Sequence, residues 1–140
     1  MLFRSPLYTI YKTVSTIVIT RQLNEKYRDH HFVPVFWMGS EDHDKDELNH
    51  IHLFGKTYLW NTAQSGAFGR MSTSSLRPWV SGIKAKLNDA PAAAELSAAL
   101  DEAYSKEKSV AAATRRFLYH FFEGKAMRAG GGSIQFEFSH

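Results

Sequence analysis

Val33-Pro34-Val35-Phe36-Trp37-Met38-Gly39-Ser40-Glu41-Asp42-His43-Asp44 passes from an unbroken apolar run to four consecutive ionisable side chains, with only Gly39-Ser40 between them. Val33 to Met38 is short, apolar and rich in β-formers, the pattern of a strand buried on both faces in a parallel sheet. Gly39-Ser40 ends it. In open α/β sheets, ligands gather beyond the carboxyl ends of the strands, so Glu41, Asp42, His43 and Asp44 stand where a site is expected. Carboxylates after a strand also serve to open a helix, where they complement its positive end. Here the polar run extends through Lys45, Asp46, Glu47, Asn49 and His50, further than a helix start requires.

Around this stretch the composition bounds the answer. A chain of 140 residues suits one domain with a real core, and 44% hydrophobic with 22% charged residues is ordinary for a globular protein. A formal charge of +3, with acidic residues gathered near Glu41 to Glu47, gives no basic stripe for a phosphate backbone. The aromatic residues sit in apolar runs rather than among lysines and arginines. Nucleic-acid binding is therefore not expected. The absence of cysteine excludes disulfides, thiolate metal sites and cysteine nucleophiles. No apolar run reaches the length of a membrane span, and Met1-Leu2-Phe3-Arg4 lacks a signal-peptide layout, so a cytoplasmic protein is expected.

Upstream, Ser5-Pro6 reads as a helix opening, with Leu7, Ile10, Tyr11, Val14, Ile17 and Val18 as the apolar stripe to about Asn24. Lys12 borders that stripe. A helix at the very start is unusual for an α/β domain, so the chain is expected to be clipped at its front. Downstream, Ile51 to Phe54 and Thr57 to Trp60 flank Gly55-Lys56 as a hairpin with a glycine-first type II′ turn. The loop that follows holds Gly66-Ala67-Phe68-Gly69-Arg70, where two glycines would let backbone approach a ligand or simply form a turn. From Ser75 the spacing predicts three helices. Their stripes are Leu76, Trp79, Val80, Ile83 and Leu87; then Leu96, Ala99, Leu100, Ala103 and Tyr104; then Val110, Ala113, Thr114, Phe117, Leu118 and Phe121, with Ser109 as cap. The Gly130-Gly131-Gly132 run is linker-like, and Ile134, Phe136 and Phe138 alternate as a sheet edge or tail would.

The chemistry concentrates at His43. A histidine flanked by carboxylates suits acid/base work or metal ligation. If the segment is helical, His43 and His50 lie about two turns apart with Asp46 or Glu47 between them. His30, His31 and His52 lack such company. Lys12 and Arg70 are the candidates for anionic groups, the arginine as a planar two-donor fork.

These residues also carry a resemblance. Pro6-Leu7-Tyr8-Thr9-Ile10-Tyr11-Lys12, Val33-Pro34-Val35-Phe36-Trp37, the Glu41-Asp42-His43-Asp44 tetrad and Asn49-His50 resemble the bacillithiol biosynthesis cysteine-adding family, BshC. Gly66 to Arg70 is similar to the glycine-arginine segment after that family's hairpin. The likeness spans about residues 3 to 123, and the tetrad after the strand is its most specific part. It implies an α/β fold: a partial Rossmann-like core with a β-hairpin and a three-helix connecting segment at about 73–123. The residues 124–140 form a glycine-rich tail that does not align. It further implies a cytoplasmic ligase adding cysteine to glucosaminyl-malate, an adenine nucleotide (ATP or ADP) as activator, and a homodimer in the full-length family. The metal is unassigned. The family's Gly-Gln-Gln segment, the strand before it and the C-terminal coiled coil are missing, so this chain is expected to be an N-terminal core fragment, inactive alone.

On this reading Glu41, Asp42, His43 and Asp44 are catalytic, with His43 as acid/base. Lys12, Arg70, Tyr8, Thr9, Asn49 and His50 bind substrate. Two alternatives stay open: a metal-dependent hydrolase using Asp42, His43, Asp44 and His50, and a non-catalytic interaction module with a solvated acidic loop. A ligase site requires Lys12, His43 and Arg70 to converge on one cleft; a module leaves them scattered.

Overall fold

The computed structural model describes residues 6–87, 91–122, 128–130 and 133–135. The chain divides into two compact units, 1–38 with 122–140 and 39–121. The mixture of helix and strand is α/β, as the sequence suggests.

In the first unit, α1 spans Pro6–Lys26 and β1 spans Val35–Trp37, with β4 (Arg128–Gly130) and β5 (Ser133–Gln135) completing a sheet in the order β1-β5-β4. β1 pairs antiparallel with β5, Phe36 opposite Ile134. The expectation of a parallel strand buried on both faces is therefore corrected. Among the described residues every strand pairing is antiparallel. Pro34 and Met38 are buried and Phe36 is half-buried, while Val35 and Trp37 are 54% and 71% exposed. The alternation is that of an antiparallel strand covered on one face. The apolar run reports what the sequence is able to bury, and the described residues cover only half of it.

The stripe expected on α1 is corrected in the same way. Ile17 is buried, but Leu7, Ile10, Tyr11, Val14 and Val18 are exposed. The buried row is Thr13, Ile17 and Thr20, at helical spacing. The Thr13 hydroxyl is satisfied within the helix, donating to the Thr9 carbonyl at 2.9 Å. Asn24 closes the connection after α1: its amide donates to the Phe32 carbonyl at 2.9 Å and its Oδ1 accepts the Phe32 N–H at 2.7 Å. Apolar residues of α1 thus lie outside its buried row, interspersed with exposed Lys12, Ser15 and Thr16. Ser5 and residues 136–140 of the expected terminal strand lie outside the described residues.

In the second unit, α2 (Lys45–Leu48) leads into a hairpin of β2 (His50–Leu53) and β3 (Lys56–Leu59). A 3-10 turn at Phe68–Arg70 follows, then α3 (Leu76–Lys84), α4 (Ala93–Lys106) and α5 (Val110–Phe122). The hairpin turn is Phe54-Gly55, with φ of 50° and 73°, so it is a type I′ turn and not the expected type II′ turn at Gly55-Lys56. Trp60 sets this register. Its N–H donates to the Asn49 carbonyl at 2.6 Å, extending the ladder past Leu59, and its ring is buried edge-on to Phe68 at 5.7 Å.

The three helical stripes form as expected. Leu76 and Val80, Ala103 and Tyr104, and Val110 and Ala113 share one core with Leu48, Trp60, Phe68 and Met71. Ser109 caps α5 by accepting the Ala112 N–H at 3.3 Å. Residues 71–73 are tied to both sides of the α4–α5 junction, through Val110 N–H to Met71 O at 3.0 Å at the start of α5 and Thr73 Oγ1 to Glu107 O at 2.6 Å at the end of α4. The second unit thus carries its own core, and the tetrad loop stands on its surface.

Candidate functional site

The tetrad loop begins where Gly39, at φ 57°, turns the chain after β1. That left-handed conformation favours glycine. The Asp42 N–H donates to the Gly39 carbonyl at 3.2 Å, closing a tight turn. Asp42 then fixes the loop a second time, its Oδ1 accepting the Asp44 N–H at 3.1 Å. The Lys45 N–H donates to the His43 carbonyl at 2.8 Å, leading into α2. Glu41, Asp42, His43 and Asp44 all remain exposed. Among the described residues the His43 ring has no hydrogen-bond or ion-pair partner. The loop is thus ordered by its backbone and by Asp42; Ser40 Oγ donates to Glu41 Oε2 at 3.5 Å, and the His43 ring and Asp44 carboxylate face solvent.

The glycine-arginine segment is docked onto this loop. The Phe68 N–H donates to the Asp42 carbonyl at 2.7 Å and the Gly69 N–H donates to the Ser40 carbonyl at 3.0 Å. Phe68 and Gly69 are buried and Arg70 is exposed. The backbone that carries Arg70 is consequently fastened to the backbone that carries the tetrad. Behind the turn, Lys45 Nζ donates to the Thr62 carbonyl at 3.3 Å. Gln64 brackets Ser72, accepting its N–H at 2.6 Å and donating to its carbonyl at 3.1 Å. Gln64 was not singled out in the sequence. A lone glutamine in a polar loop gives no signal that it replaces a missing strand partner.

Asn49 and His50 continue from α2 into the hairpin. The Asn49 N–H donates to the Lys45 carbonyl at 2.9 Å, and His50 Nδ1 lies 3.3 Å from Asn49 Oδ1. The His50 ring meets His52 edge-on at 5.2 Å, and His52 in turn contacts Thr57 Oγ1 at 2.9 Å. The expectation of one helical face carrying His43 and His50 is corrected: α2 holds only Lys45–Leu48, with His43 in the preceding loop and His50 in β2. Among the described residues, no three or more His, Cys, Asp or Glu side chains are grouped as metal ligands would be. Asp42, His43, Asp44 and His50 therefore do not form the ligand set that the hydrolase alternative requires.

Tyr8, Thr9 and Lys12 lie on α1 in the first unit, where Lys12 Nζ sits 4.5 Å from the centre of the Tyr8 ring. The backbone brings the His43 loop and Arg70 together; Lys12 belongs to the other unit. Among the described residues no helix is long and apolar enough to cross a membrane.

Comparison with known proteins places this arrangement in a family. The model of the bacillithiol biosynthesis BshC N-terminal Rossmann-like domain matches residues 1–127. A relative from Flavobacterium psychrophilum is 42% identical over 124 residues, covering 89% of this chain and 23% of the relative. One from Cytophaga hutchinsonii is 41% identical, covering 84% of this chain and 20% of the relative. One from Flavobacterium johnsoniae is 40% identical, with 81% and 22% covered. Each bears the name of a candidate cysteine ligase, BshC. The chain thus spans between a fifth and a quarter of the length of these curated relatives. No solved structure matches. The chain belongs to the bacillithiol biosynthesis BshC family, within its N-terminal Rossmann-like domain.

Proposed function

We propose that this chain carries the substrate-binding loop of a ligase that adds cysteine to glucosaminyl-malate in bacillithiol biosynthesis. The docking of the Phe68–Arg70 turn on the Ser40–Asp42 backbone supports this reading most directly, since it sets a guanidinium-bearing residue beside four ionisable ones. Arg70 pairs with malate carboxylates through its two-donor fork. Glu41 and Asp44 hold the amine or a counter-cation, and His43 moves the proton that the amine loses on acylation. Asn49 and His50 border the loop and contribute hydrogen bonds. Tyr8, Thr9 and Lys12 enter this reading through the family alone.

Forming an amide from a free carboxylate is uphill in water, so an adenine nucleotide is proposed as the activating co-substrate. The Gly66–Arg70 segment does not offer it a phosphate cradle. Phosphate-binding loops present free backbone N–H groups, and those of Phe68 and Gly69 are already donated to Asp42 and Ser40.

The test uses a chimera in which this chain replaces the matching segment of the Flavobacterium psychrophilum relative. His43→Ala is expected to lower cysteine addition by about two to four orders of magnitude, the usual cost of removing a general acid/base. Circular dichroism of the variant should be unchanged, because the ring is exposed. A folded His43→Ala chimera that turns over at the unsubstituted rate shows the tetrad to be structural. Arg70→Lys is expected to weaken glucosaminyl-malate binding more than turnover.

A further inference from the structure

Gly69 meets its neighbours more closely than any side chain would allow. A Cβ built on it would stand 2.5 Å from the Ser40 carbonyl oxygen, 2.6 Å from Ser40 Cβ and 2.9 Å from Ser40 Cα. The backbone there does not demand glycine. Gly39, Gly55 and Gly66 have positive φ and open space where a Cβ would be, whereas Gly69 has neither. Its requirement is the approach alone. What approaches is not a ligand but the chain's own loop, at the residue immediately before Glu41. The two neighbouring amides of Phe68 and Gly69 reach across this contact to Asp42 and Ser40. The Phe68 ring anchors the turn in the core beneath, against Trp60.

We propose that Gly69 is a positioning residue: by lacking a Cβ it lets the 3-10 turn clamp the Ser40–Asp42 backbone, and so fixes Arg70 relative to the Glu41–Asp44 loop. The proposal rests on the reading of that loop as a substrate site and adds to it the residue that sets its geometry. Misplacing a binding group by about 1 Å costs on the order of a hundredfold in catalysis. The two bonds and the close contact restrain the loop against a displacement of that size.

The experiment uses the chain itself, followed by amide hydrogen exchange and by titration with glucosaminyl-malate. In the unsubstituted chain the Phe68 and Gly69 amides should be protected to a similar degree, since one opening event frees both. Unprotected amides at these two positions overturn the clamp without any variant. In Gly69→Ala, both amides should exchange at least about tenfold faster, and the Glu41–Asp44 resonances should shift, while α3 and α5 keep their protection. Unchanged protection in a folded Gly69→Ala chain also overturns it.

Binding separates positioning from mere stability. Arg70→Lys should weaken glucosaminyl-malate binding in the unsubstituted chain and have little further effect in Gly69→Ala, because the arginine is already misplaced there. Independent, additive losses overturn the positioning role. If the unsubstituted chain binds no glucosaminyl-malate while Gly69→Ala still releases the two amides, the substrate reading fails and the clamp stands.

Discussion

At Asp42 one carboxylate does two things that a pair of substitutions can pull apart. Its Oδ1 accepts the Asp44 N–H at 3.1 Å, and its charge contributes to the acidic loop. Asp42→Asn keeps an acceptor oxygen in place and removes the charge; Asp42→Ala removes both. The loop hydrogen bond is exposed, so its loss in Asp42→Ala should cost at most about 1 kcal/mol, read by thermal melting. Asp42→Asn should melt like the unsubstituted chain and still fail in cysteine addition by the chimera. If Asp42→Asn retains activity and Asp42→Ala loses it, Asp42 serves only to shape the turn. The tetrad itself was legible in the sequence because it is local: four ionisable residues directly after an apolar run. The Ser40–Gly69 contact was not, because it joins positions far apart in the chain, and a glycine pair shows that something comes close without showing what.

The hairpin shows the same divide between the presence of an element and its register. Two β-rich arms around a glycine were readable, but burial of Trp60 and its bond to Asn49 shifted the turn to Phe54-Gly55. Phe54 therefore sits at φ 50° with its side chain 66% exposed, a strained conformation for an aromatic residue without core packing to offset it. Phe54→Asn should raise stability by about 0.5–1 kcal/mol, since asparagine tolerates this region and Asn-Gly is the favoured type I′ pair. A lower melting temperature in Phe54→Asn would show that the phenyl ring contributes more than its backbone costs. Between α4 and α5, Glu102 accepts from Arg116 Nη2 at 2.7 Å and lies 3.6 Å from His120 Nδ1 and 3.7 Å from Lys106 Nζ. The Arg116 hydrogen bond, then its charge, holds the Glu102 carboxyl below its ordinary value of 4.5. The folded state thus binds that proton less readily than the unfolded state. The stabilisation is present above pH 4.5 and is lost as pH falls through the depressed folded value. Melting curves should show Glu102→Gln less stable than the unsubstituted chain near neutrality, with the gap closing in acid and shrinking in high salt. A gap that stays constant with pH would mean the loss is one of packing.

At the scale of the whole molecule, the described residues of the two units differ in how much apolar side chain they leave exposed. In the first unit many apolar residues of α1 and β1 face outward: Leu7, Tyr11, Val14 and Val18 on the helix, beside exposed Lys12, Ser15 and Thr16, and Val35 and Trp37 on the strand. The sequence points to core at these positions because apolar periodicity reports the capacity for burial, while burial itself needs a neighbour. The three helical stripes of the second unit are legible in the sequence because they pack on one another and on nearby Leu48 to Met71. That unit, 39–121, holds Leu48, Trp60, Phe68, Met71, Leu76, Val80, Tyr104 and Val110 in one buried cluster. It also holds the tetrad loop and the clamp that orders it. A stretch with its own core is able to fold as a unit. A fragment of residues 39–121 should therefore be helical by circular dichroism and melt in one cooperative transition. Its Phe68 and Gly69 amides should keep the protection they have in the full chain, because both acceptors, Asp42 and Ser40, travel with the fragment. Trp60→Ala in the same fragment should lower stability by about 3–5 kcal/mol, the cost of emptying a buried aromatic site, and abolish the cooperative transition. A fragment that shows broad, non-cooperative melting would mean that the core of 39–121 depends on residues outside it. The tetrad loop could then not be treated as the property of one unit.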